Sequence, residues 1–250
     1  ERGAPEAVPE VAAAAMDDPL LGGAGEWARF WSDRDLLAEI RKDVMRTLPE
    51  SPLFQEERGG AAHYAALERI LFVYARLNPG VRYVQGMNEV CGTIYVVFAT
   101  DQAAEWAEHA EADAFFAFTT VMTDVRDLFV ESLDRSDTGL QGRLRSLTVM
   151  LDKHDPELSA HLRYHQVDPH LYALRWFTTL LSREFELPDT VRLWDALFAD
   201  HPVDRTALTV FLCVSMLLHQ RLRLLHSDFP GIIKLLQNYP VTDVAALLER

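Results

Sequence analysis

At 250 residues the chain is long enough for one large domain or two smaller ones. With 49% hydrophobic and 25% charged residues its composition is that of an ordinary globular protein, and 24 basic against 38 acidic side chains argue against nucleic acid or an anionic membrane as main partner. Its only cysteines, Cys91 and Cys213, lie in apolar runs and read as buried free thiols of a reducing cytosol.

Residues 1–25 combine an alanine run, Asp17-Asp18-Pro19 and the glycine cluster Gly22–Gly25, and read as a loosely ordered lead-in. Trp27, Phe30 and Trp31 are candidate anchors. From Asp33 the apolar spacing is helical: Leu36, Leu37, Ile40 and Val44 form one stripe, and Pro49 closes the segment. The pattern returns over 64–77 and stops at Asn78-Pro79-Gly80. Residues 84–99 are apolar on nearly all faces, as a central buried helix would be. Further helical patterns cover 111–126, 139–153, 156–164, 171–183, 188–198 and 203–218, with short ones at 229–236 and 241–248. Asp155-Pro156 and Pro188-Asp189 are good helix entries. No stretch alternates with period two. The expectation is an all-α fold without β-sheet, a single large helical domain over 26–250 with room for a two-lobed shape.

The longest apolar run, from Ala207 to Leu218, is too short to cross a bilayer, so no direct membrane insertion is expected. No leader peptide is visible, and the start at Glu1 and finish in a helical pattern read as a domain cut from a longer chain.

Several chemistries can be set aside. The chain has no Gly-x4-Gly-Lys-Ser/Thr phosphate cradle, no Gly-x-Ser-x-Gly elbow and no His-Glu-x-x-His. His161 and His165 are four apart but lack accompanying cysteine or carboxylate ligands, so no metal site is expected.

Two segments carry polar groups on an otherwise apolar scaffold. Ile40, Asp43 and Arg46 lie three apart along one helix face, Ile40 turned inward and Arg46 outward near the helix end, with Asp43 able to orient the guanidinium. Taken alone, this pair is also what an ordinary exposed ion pair looks like. In Tyr83-Val84-Gln85-Gly86-Met87-Asn88 the glycine lets another backbone approach, and the Gln85 amide can both donate to and accept from a water. A loop glutamine at a helix start fits that segment equally well.

Together the segments resemble the TBC domain of Rab GTPase-activating proteins. Ile40, Asp43 and Arg46 match its signature I-x-x-D-x-x-R, with Thr47 following; Tyr83, Gln85 and Gly86 match Y-x-Q-G. A third region agrees: Trp176-Phe177, Arg183-Glu184-Phe185 and Arg192-Leu193-Trp194-Asp195. YVQGMNE, Phe98-Ala99-Thr100-Asp101 and the acidic run 108–113 are most similar to the subgroup of TBC domain family member thirteen. The connection at 56–62 is shorter than that subgroup implies. The resemblance implies a cytoplasmic activator in vesicle traffic, brought to membranes by flanking regions or partners. It would act on a GTP-loaded Rab GTPase, with no cofactor of its own, on GTP and Mg held by that partner. Arg46 and Gln85 would be an arginine and a glutamine finger given in trans. Asp43, Tyr83, Gly86 and Asn88 would hold the fingers or touch the GTPase. Ile40, Trp176, Arg183, Glu184, Arg192, Trp194 and Asp195 would be structural, their charges forming partly buried pairs. The alternative is a catalytically silent module that binds a small GTPase.

Overall fold

The computed structural model describes residues 26–55, 59–130, 133, 136–199 and 205–249, without the side chains of 26–28, 205 and 206. The expected lead-in over 1–25, the Trp27 anchor, residues 56–58 of the short connection and the start of the helix expected at 203 lie outside them. Thirteen α-helices and no strand are found among the described residues, so the fold is all-α as the periodicity predicts.

Helix α1 (Glu26–Val44) leads into α2 (Gly60–Leu77) and the central α3 (Met87–Ala99). They are followed by α4 (Ala104–Ala107), α5 (Ala110–Val125), α6 (Leu140–His154) and α7 (Pro156–Tyr164). Next come α8 (Ala173–Thr178), α9 (Leu187–Ala199) and α10 (Arg205–His219), then α11 (Arg221–Leu225), α12 (Phe229–Gln237) and α13 (Val244–Leu248). Helix α3 is buried on every face from Met87 to Val96 and packs between α2 and α5. Gly92 at its middle lets the turn after α1 approach, because a Cβ there would meet Thr47 Cγ2 at 2.5 Å. In the other half of the chain α10 packs on α6, α9 and α13. The buried side chains join into one hydrophobic cluster that includes Trp176, Phe118 and Phe177.

Helix entries follow the sequence signals where a side chain can cap. Asp155 accepts from the Leu158 N–H at 2.9 Å ahead of Pro156, and Asp228 accepts from Gly231 at 3.1 Å ahead of Pro230.

Three expectations need correction, all beside the polar segments. Arg46 is not on a helix: α1 ends at Val44, and the chain turns through Arg46 and Thr47 to Leu48, whose φ of 43° cannot continue a right-handed helix. The helix expected from Val84 starts at Met87, because Gly86 has φ 109°. The span 171–183 is not one helix. A 3₁₀ turn at Pro169–Leu171 precedes α8, and Leu180 and Leu181 then adopt φ of 49° and 65°. Arg183 and Glu184 therefore stand on a turn. Both leucines are buried, and the Trp194 indole N–H donates to the Leu180 carbonyl at 2.8 Å, so packing and that bond offset the left-handed strain.

Candidate functional site

The two polar segments are tied together by hydrogen bonds. Arg46 donates from Nη2 to Asp43 Oδ1 at 2.5 Å and from Nε to the Lys42 carbonyl at 3.2 Å. The second Asp43 oxygen accepts from the Tyr83 hydroxyl at 2.9 Å, across 40 residues of chain. Asn88 completes the link: its Nδ2 donates to Thr47 Oγ1 at 2.9 Å, and its Oδ1 accepts the Gly86 N–H at 3.0 Å. Asp43, Tyr83 and Asn88 are buried and Ile40 beneath them is fully so, whereas the Arg46 side chain is 60% exposed. Burial first, and the Asp43 charge next, push the Tyr83 hydroxyl well above the ordinary phenol range, so it stays a proton donor to Asp43. The result is an exposed cationic head on a buried base.

Gly86 is needed for this closure twice over. Its φ lies in the left-handed region, and a Cβ would stand 2.8 Å from the Thr178 carbonyl oxygen. The backbone of α8 can thus press against the loop that carries Gln85, leaving that side chain exposed.

Arg46 and Gln85 open into the same cleft, a concavity of about 750 Å³. Asp43, Gly86 and Asn88 form part of its wall, together with Glu89, Phe129, Arg175 and Arg183. Glu89 and Arg175 are cleft residues that the sequence did not single out. For Glu89 a signal existed: it is a charge in the first turn of a helix otherwise apolar on all faces. It accepts from Arg183 Nη1 at 3.0 Å, and burial raises its pKa against the opposing pull of Arg183. A second groove of about 730 Å³ shares Arg46, Glu89 and Arg183 with the first and runs along Glu184–Asp189.

The third region separates into two parts. Trp176 and Trp194 are buried, and Trp176 packs edge-on against Tyr172 at 5.0 Å between ring centroids. Glu184 is buried but bonds Arg175 rather than Arg192, at 2.7 and 2.8 Å in a bidentate bridge. Arg175 Nη2 also donates to the Gln237 carbonyl at 2.8 Å, fastening α8 to the end of α12. Arg192 and Asp195 are exposed on α9 and belong to neither groove. Burial raises the Glu184 pKa despite Arg175. Arg175→Ala should therefore cost about 3–5 kcal/mol of unfolding free energy at neutral pH, by stranding a buried carboxylate. A raised carboxylate pKa means the folded state binds the proton more readily, so stability from this group is lost as pH rises. The deficit should shrink as pH falls through the raised Glu184 pKa. Urea melts at neutral and mildly acidic pH check this, and a pH-independent deficit would contradict it.

Among the described residues no group of three or more His, Cys, Asp and Glu could hold a metal. His161 and His165 stack edge to face, and His161 Nε2 is 3.1 Å from the Ser227 carbonyl. No helix of the described residues is long and apolar enough to cross a membrane.

The sequence pattern of the Rab-GTPase-TBC domain matches residues 30–225. Human TBC1 domain family member 13 is 47% identical over 192 residues, 77% of this chain and 48% of that protein. Human TBC1 domain family member 5 is 31% identical, covering 93% of this chain and 34% of its own length. The chain thus spans half or less of the length of these relatives. Among solved structures, the Ypt/Rab-GAP domain of Gyp1p superposes with a TM-score of 0.75, covering 87% of this chain and 72% of that one. At 24% identity that likeness speaks for the fold.

Proposed function

Since the chain belongs to the Rab-GTPase-TBC domain family, we propose that it stimulates GTP hydrolysis by a GTP-loaded Rab-family GTPase, with Arg46 and Gln85 as fingers supplied in trans. The nucleotide and its Mg come with the partner. Arg46 reaches toward the β/γ-phosphate region and offsets charge that develops as the γ-phosphoryl group leaves, a contribution on the order of 10³–10⁵ in rate for such arginines. Gln85 orients the attacking water, its amide oxygen accepting a hydrogen bond from the water and its nitrogen available to donate one. Asp43 and Tyr83 hold the arginine, while Asn88 and Gly86 hold the glutamine loop. Such a protein acts from the cytoplasm on vesicle-bound GTPases.

The observation that carries this reading is the pairing: an exposed arginine and an exposed glutamine share one cleft, each backed by the same buried hydrogen-bond network. The test is a phosphate-release screen over a panel of GTP-loaded Rab GTPases. Stimulation of at least one member is expected. A flat panel would overturn the reading, and binding without stimulation would favour a silent GTPase-binding module.

A further inference from the structure

We infer that Arg183 is a second cationic contact of the cleft, a binding residue that engages an oxyanion on the docked GTPase–nucleotide complex; this rests on the function proposed above. Three arginines line the cleft, and they are committed differently. Arg175 spends its fork on a buried carboxylate and a carbonyl, and is a packing residue. Arg46 is braced by Asp43 and Lys42 at the end of α1. Arg183 makes one hydrogen bond among the described residues, Nη1 to Glu89, and its side chain is 50% exposed. A guanidinium has five donors in a planar fork, and Arg183, which lines both grooves, commits only one nitrogen to a hydrogen bond among the described residues.

The mount is rigid although the head is not covered. Arg183 follows the buried Leu180–Leu181 turn, whose carbonyl at Leu180 is pinned by Trp194. Its counter-charge Glu89 is buried, four residues beyond Gln85 in the first turn of α3. The Arg175–Glu184 bridge is bidentate, with its carboxylate only 1% and its arginine 36% exposed. Arg183–Glu89 is single and open, which suits a cation kept in place without being saturated. Planar donors of this kind read carboxylates and phosphates, and either could come from the docked partner.

The experiment uses a Rab GTPase that the wild-type chain stimulates, with steady-state rates over a range of GTPase and salt concentrations. Arg183→Ala should raise KM about tenfold, the worth of one hydrogen bond to a charged group, with little change in kcat. It should also flatten the salt dependence of kcat/KM. Arg183→Lys should recover part of the loss. Arg183→Gln, which is polar but shorter and uncharged, should behave as the alanine variant does. Arg163→Ala serves as control, since that arginine is equally exposed and paired with Asp152 but lies outside both grooves. Affinities for the GDP form with and without a planar fluoride phosphate mimic locate the oxyanion. A loss confined to the fluoride form assigns it to phosphate, and an equal loss in both assigns it to a carboxylate of the GTPase. Unchanged KM in Arg183→Ala and Arg183→Gln, or a fall in kcat alone, would overturn this inference while leaving the proposed function standing. A wild-type chain that stimulates no GTPase removes both.

Discussion

Arg46→Ala is expected to lower stimulated hydrolysis by about 10³–10⁵, equivalent to roughly 4–7 kcal/mol of transition-state stabilisation. The same substitution should leave the fold intact. The Arg46 head is mostly in solvent, and Asp43 keeps its bond from Tyr83 after the arginine is gone. Asp43 is buried but keeps the Tyr83 donor, so the loss should be about 1.5–3 kcal/mol, that of one hydrogen bond to a charged group. Single-turnover phosphate release and a urea melt on one preparation separate the two effects. Retained stimulation would contradict the assignment of Arg46, and so would a large loss of stability, which would make the arginine a structural group. Arg46→Lys should recover little, because an ammonium lacks the planar fork.

Gln85→Ala should reduce stimulated hydrolysis on the order of 10²-fold, the scale of losing alignment of a reacting water. The loop should keep its shape, because Gly86 is fixed by its N–H bond to Asn88 and by contact with Thr178, neither of which involves the Gln85 side chain. The loss should therefore fall on kcat with KM little changed. Full activity in this variant would remove the water-positioning role. A matching loss of affinity would turn Gln85 into a docking residue instead.

The helices were legible where one face or all faces are apolar. The stripe through Leu36, Ile40 and Val44 and the wholly apolar run after Gly86 both mark helices seen in the structure. What escaped the sequence is how those helices stop. Nothing in Leu180-Leu181 signals a break, since leucine favours helix and carries no turn chemistry. The left-handed turn there is imposed by tertiary packing, with both side chains in the core and Trp194 bonded to the backbone. That turn moves Arg183 from an expected helix to the cleft and leaves Glu184 with Arg175 as its partner. The wiring of the site was partly legible. Asp43 beside Arg46 follows from spacing along one chain segment, whereas Tyr83 to Asp43 and Asn88 to Thr47 join residues 40 and 41 apart and need the fold. Long-range pairs of that kind leave no periodic trace.

The most direct measurement is the affinity of the chain for a GDP-loaded Rab GTPase with and without a planar fluoride phosphate mimic. If Arg46 and Gln85 complete a hydrolysis site, the mimic should tighten binding by about 10² or more, as transition-state analogues do. Arg46→Ala should abolish the gain while leaving affinity for the GDP form unchanged. Equal affinity for the two forms, or a gain that survives without Arg46, would contradict catalysis in trans by this cleft.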